Sequence, residues 1–111
     1  MLKITGTRGS WMATVQGYGK LPVIHNHRMN WNTQTYSDPF KDRVVGMKKV
    51  DEWHAALETG DLLVVQRGVK DATGNETTER DGYIGVFRYT GYRRIDENGG
   101  IELLITERIS R

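Results

Sequence analysis

The chain has 111 residues, a formal net charge of +2, ten aromatics and no cysteine. That length suits one domain over 1–111, large enough to bury roughly two thirds of its unfolded surface. The composition excludes disulfides and thiolate metal sites, and the mild basicity permits nucleic acid without demanding it.

The opening "MLKITGTRGSW" lacks the long apolar core of a signal peptide, and no apolar run approaches the ~20 residues that span a bilayer. The expectation is a cytoplasmic protein with no membrane partner. "LKITGT" (2–7) alternates at strand spacing. "SWMATVQG" (10–17) does the same, with Trp11, Ala13 and Val15 on one face between Gly9 and Gly17. "LPVIH" (21–25) is a short strand whose Pro22 suggests an edge or a strand start. Residues 26–42 are polar and aromatic-rich without periodicity, and contain Pro39. They read as a long loop with at most one helical turn, a kind of segment that is often functional.

"RVVGM" (43–47) is a candidate strand. In "KKVDEWHAALETGD", Val50, Trp53 and Leu57 share one helical face and Gly60 is a natural stop. This places one helix near 49–59, with Trp53 in the core. "DLLVVQRG" (61–68) reads as a buried strand, followed by a charged excursion over 69–81 with a turn at Thr73–Asn75. "GYIGVFRYTGY" (82–92) is a strand rich in β-branched and aromatic residues. Its pattern sets Tyr83, Phe87 and Tyr89 against Ile84, Val86 and Arg88 without saying which set faces inward. Asn98-Gly99 is a strong hairpin signal, and "IELLITERI" (101–109) is the last strand. The sum is a mainly β (α+β) domain: six or seven short strands in a small antiparallel barrel, with the helix at one end or across the seam.

"VVGMKKVDEWHAALETGDLLVVQ" followed by "GYIGVFRYTGY" resembles the PUA-like superfamily, particularly its EVE and ASCH-type members. The shared pattern is a helix running into Gly60-Asp61, the strand "LLVV", a loop, and the Gly-hydrophobic strand "YIGVF". "SWMATV" is similar to the first EVE-type strand, where a tryptophan lies near the chain start. The likeness covers about residues 44–92 and leaves 17–43 unmatched. It implies a PUA-like β-barrel that binds nucleic acid, with Trp11 near the ligand pocket. The Gly60-Asp61 join also has a local reading. Gly60 would end the helix in a conformation that resists a side chain, and Asp61 would accept turn amides.

The spelling "HNH" (25–27) is contiguous, so in an extended segment His25 and His27 share a side. Asp38 could join them as a third metal ligand, but a solvated strand end accounts for the same letters. No serine sits in a Gly-x-Ser-x-Gly elbow, and "GYGK" (17–20) is too short for a phosphate loop. Neither catalytic residues nor a cofactor is called for. Binding has more support. A flat base needs an aromatic face for stacking, amides for its edge and a cation for phosphate. Trp11, Asn30, Trp31, Asn32 and Tyr36 are the candidate pocket for a plain or modified base, in RNA or DNA. Arg28, Arg43, Arg88, Arg93 and Arg94 are the candidate phosphate contacts. In the competing account Trp31 and Phe40 fold inward, Asn30 and Asn32 satisfy turn amides, and the arginines only solubilise. The alternative functions are a protein-interaction module or inhibitor, of a phage or mobile-element accessory type, and a small-ligand or nucleotide-binding barrel.

Overall fold

Segments with two-residue alternation become strands, and the segment with helical spacing becomes the helix. The computed structural model describes residues 2–6, 11–43 and 46–110. In chain order the strands are β1 (Ile4–Gly6), β2 (Met12–Val15), β3 (Gly19–His25), β4 (Met29–Asn30) and β5 (Thr35–Asp38). Helix α1 (Lys48–Thr59) follows, then β6 (Leu62–Lys70), β7 (Glu76–Arg94) and β8 (Ile101–Ser110). The domain is mainly β with one helix, as the sequence leads one to expect. The candidate strand at 43–47 falls partly on residues 44 and 45, outside the described residues, as does Gly9.

The eight strands form one sheet in the order β1-β2-β3-β6-β7-β8-β5-β4. The sheet is mixed rather than purely antiparallel, because β3 and β6 run parallel, with Val23 opposite Val64. A parallel pair needs a long crossover, and residues 26–61 supply it, carrying β4, β5 and α1. No backbone pairing among the described residues joins β3 to β5, so the barrel stays open along that seam.

The region read as a loop is more ordered than its composition suggests. It holds a 3-10 turn (Asn26–Arg28) and the β4–β5 hairpin. β5 alternates faithfully, but its inward residues are Tyr36 and Asp38. A buried aspartate disguises the period.

Helix α1 turns Val50, Trp53, His54 and Leu57 inward. The Trp53 indole N–H donates to the Val23 carbonyl at 2.9 Å, which pins the helix to β3. Asp51 Oδ1 accepts the Gly46 N–H at 3.1 Å and adds negative charge where the helix dipole favours it. Gly60 does end the helix, but with φ −101 and ψ −175, an extended conformation open to any residue. Glycine is required for space instead: a Cβ there would sit 2.9 Å from the Ala56 carbonyl oxygen. Asp61 receives the Arg88 guanidinium at 2.6 Å rather than turn amides.

β6 is buried on both faces, as its unbroken apolar run implies. Leu63 and Val65 enter the main core with Trp53, while Val64 joins a second cluster with Val15 and Val86. β7 is covered on both sides too, which resolves its two competing faces. Phe87 and Tyr89 enter the main core and Val86 the second cluster. A bulge between the pairs Val65–Gly85 and Gln66–Tyr83 then reverses the phase. Beyond it Ile84 packs on the main core and Tyr83 on the other. Among the described residues no helix is long and apolar enough to cross a membrane.

Leu63 on β6 is fully buried, and Leu104 on β8 of the same sheet is exposed. Leu63→Ala should lower unfolding free energy by about 2–5 kcal/mol, and Leu104→Ala by no more than about 0.5 kcal/mol. Urea midpoints of the two variants and the parent would check the contrast.

Candidate functional site

A cavity of about 210 Å³ lies in the open seam. Trp11, Phe40, Trp53 and Tyr36 give its aromatic walls, and His25, Asp38, Gln66 and Thr78 its polar ones. Phe40 and Trp53 are near-parallel, 21° apart with centroids at 6.4 Å. Trp11 stands almost upright to both, at 88° and 77°. Faces in two orientations therefore meet at one corner. The half-buried Trp11 and Phe40 rest on the sealed ring of Trp53.

Phe40 is held there by the β7–β8 hairpin. The Asp96 carboxylate accepts the N–H groups of Asn98 and Gly100 at 2.9 and 2.8 Å, and that of Phe40 at 3.1 Å. These backbone donors, Gly100 foremost, hold Asp96 below the usual carboxylate range. Asn98 Nδ2 donates in turn to the Phe40 and Lys41 carbonyls.

Asp38 closes the polar end. The Tyr36 hydroxyl donates to its Oδ2 at 2.7 Å. Burial first, then the adjacent Asp38 charge, pushes the Tyr36 phenol well above its ordinary value, so it stays a donor. From across the seam Arg28 Nε stands 3.6 Å from Asp38 Oδ1, and His25 Nε2 stands 3.7 Å from Oδ2. Burial depresses the His25 pKa, with Asp38 pulling the other way and His27 and Arg28 adding to the depression. Gln66 Nε2 donates to the Glu79 carbonyl at 3.0 Å, which fixes the amide's orientation.

The predicted pocket residues divide. Trp11 and Tyr36 line the cavity. Asn30, Trp31 and Asn32 do not: they form the β4–β5 turn. Asn30 Oδ1 accepts the Asn32 and Thr33 N–H groups at 3.0 and 3.3 Å. Trp31 is 44% exposed and leans on Phe87, with centroids 5.7 Å apart. The candidate phosphate contacts divide as well. Arg28 sits on the seam. Arg43 donates to the Glu97 carbonyl at 3.2 Å. Arg88 is bound by Asp61 and Glu107, and Arg93 by Glu102 at 2.9 Å. Arg88–Glu107 and Arg93–Glu102 are directly opposed cross-strand pairs. Arg93 and Arg94 line a separate groove beside the end of α1.

The "HNH" residues act mainly as stitching. Asn26 Oδ1 accepts the Gly68 N–H at 2.6 Å, and His27 Nε2 bonds the Thr77 carbonyl at 2.8 Å. A side chain at Gly68 would collide with the His27 ring. Among the described residues no three His, Cys, Asp or Glu side chains are placed to hold a metal ion.

Gln66 and Thr78 carry no local signal in the sequence, and Asp38 reads there only as a metal ligand. Trp53 was assigned to the core, and it serves there as the cavity's floor as well. Alternation in β5 was the one signal that could have placed Asp38 beside Tyr36. No protein-family model, curated protein or solved structure matches this chain.

Because the folded pKa of His25 lies below its ordinary 6.5, the unfolded chain binds the extra proton first as pH falls. The folded state should be unaffected well above 6.5 and lose stability as pH drops through that value toward the lower folded one. Urea unfolding at pH 7.5 and pH 5 should give a smaller difference for His25→Gln than for the parent.

Proposed function

We propose that this chain is a non-catalytic, PUA-like binding domain that takes one base of a nucleic acid into the seam cavity. The observation that carries this is the cavity itself: four aromatic side chains and a short polar edge around about 210 Å³. Pockets for drug-sized ligands run to about 300–1,000 Å³, so this one suits a single planar ring system. Trp11 is the stacking face, with Phe40 set upright to it. Gln66, Thr78 and His25 meet the ring's edge, in place of Asn30 and Asn32. Arg28, on the rim, and Arg43, near the Phe40 anchor, are the phosphate contacts best placed for a strand lying over the seam. A cytoplasmic setting accords with the absence of cysteine.

Titration with short single-stranded RNA and DNA, followed by tryptophan fluorescence, tests the reading. Trp11→Ala should weaken binding by about 1–3 kcal/mol, the scale of one stacked base. Trp31→Ala should change it far less. With two phosphate contacts the slope of log K against log salt should be about −1.4. Failure of every strand to bind would end the proposal.

A second reading, a protein-interaction module, draws on the groove of about 520 Å³ between Leu57–Asp61 and Thr90–Arg94. β6 begins at Leu62 opposite Arg88, so among the described residues the edge of β7 on that side has no strand partner beyond Tyr89. A stoichiometric protein partner lost on substitution of Tyr92 and Arg94, but not Trp11, would favour it.

A further inference from the structure

We propose that the seam cavity selects a base carrying a positive charge, as N-alkylated bases do, over the neutral isomer of the same base. This rests on the base-binding reading above and adds the ligand's charge to it.

Two independent features point the same way. The first is the wall. The faces of Trp and Tyr rings attract cations, most strongly where water is excluded. Trp11, Trp53, Tyr36 and Phe40 supply such faces in a recess of the sheet. The second is the charge at the polar end. Asp38 is 6% exposed and still lines the cavity. A carboxylate offers about four acceptor positions, and the Tyr36 hydroxyl fills one. Arg28 and His25, at 3.6 and 3.7 Å, stand beyond hydrogen-bond length.

Arg28 is shared between Asp38 and Glu76, which lies 3.5 Å from its Nη2. Burial holds His25 toward its neutral form. The guanidinium is therefore divided between the buried Asp38 and the exposed Glu76, which also lies opposite Lys70 on β6, and Asp38 is left with a shared partner at 3.6 Å. Outside the cavity Lys41 and Asp42 line a common basin and offset each other. A cation entering the aromatic corner completes the pairing of a buried acid, where an isolated charge is costly. A ring fits better than a quaternary ammonium, because Gln66 and Thr78 offer hydrogen bonds that an alkylammonium cannot use.

Isomeric nucleosides separate charge from shape. 1-Methyladenosine is cationic at neutral pH and N6-methyladenosine is neutral; 3-methylcytidine and 5-methylcytidine form a second such pair. In fluorescence titrations at neutral pH the cationic member should bind roughly tenfold tighter, the scale of a desolvated cation–π contact. The same preference should appear with the base set in a short RNA or DNA strand, and the two backbones identify the source. Asp38→Asn still accepts the Tyr36 hydroxyl and should narrow the preference at least about twofold without abolishing it, since the carboxylate charge is removed and the aromatic faces remain. Arg28→Gln should widen the preference by leaving Asp38 less compensated.

Equal binding of the isomers, or tighter binding of the neutral one, overturns the charge selection and leaves base binding standing. Binding of neither pair, free or in a strand, overturns the base-pocket reading as well. A trimethyllysine peptide that outcompetes all four nucleosides would keep the cation site and overturn its assignment to a base.

Discussion

The seam between β3 and β5 is closed by side chains where backbone hydrogen bonds stop, and Asp38 is the residue on which that closure turns. It lies on β5, opposite Ile101 of β8. It accepts a hydrogen bond from Tyr36 on its own strand and faces His25 and Arg28 from the other side of the opening. A closed barrel would need no such residue. An open one needs something polar at the gap, because strand ends there would otherwise bury unpaired groups. The same requirement leaves a hollow, since side chains bridging a gap do not fill it as a pleated backbone would.

The hollow is aromatic for a structural reason. Trp53 anchors α1 to β3 through its indole N–H and packs sealed beneath the opening. Trp11 and Phe40 lie on it from two directions, one delivered by the entry to β2 and the other by the segment that Asp96 and Asn98 tether. Three distant stretches therefore meet over one ring. The Asn-Gly hairpin, which on its face only reverses the chain, also positions a wall of the cavity.

Charge is distributed with equal economy. Arg88 and Arg93 lie opposite glutamates of β8, so the basic stretch "RYTGYRR" is largely neutralised in place. Exposed pairs of this kind contribute little stability, and they engage two of the arginines that the linear sequence offers as phosphate contacts. At the seam the buried Asp38 shares Arg28 with Glu76.

The helix, its inward face, the "LLVV" strand and the terminal hairpin could be read directly, because local spacing and turn chemistry fix each of them. Alternation alone points Trp11 to the core and only the likeness to a known pattern points it to a pocket, while Tyr36 stands out merely as an aromatic in an unperiodic stretch; both line the seam cavity. Trp31 lies outside the seam cavity: an exposed turn and a pocket wall can carry the same Asn-Trp-Asn spelling, and only the tertiary packing, here against Phe87, shows where the ring rests. The parallel β3–β6 pairing, the bulge that reverses the faces of β7, and the meeting of Asp38 with His25 and Gln66 were decided by tertiary structure alone. Each depends on which strand lies beside which, and that is set by the total burial of apolar surface across the sheet. No local window of residues contains that quantity.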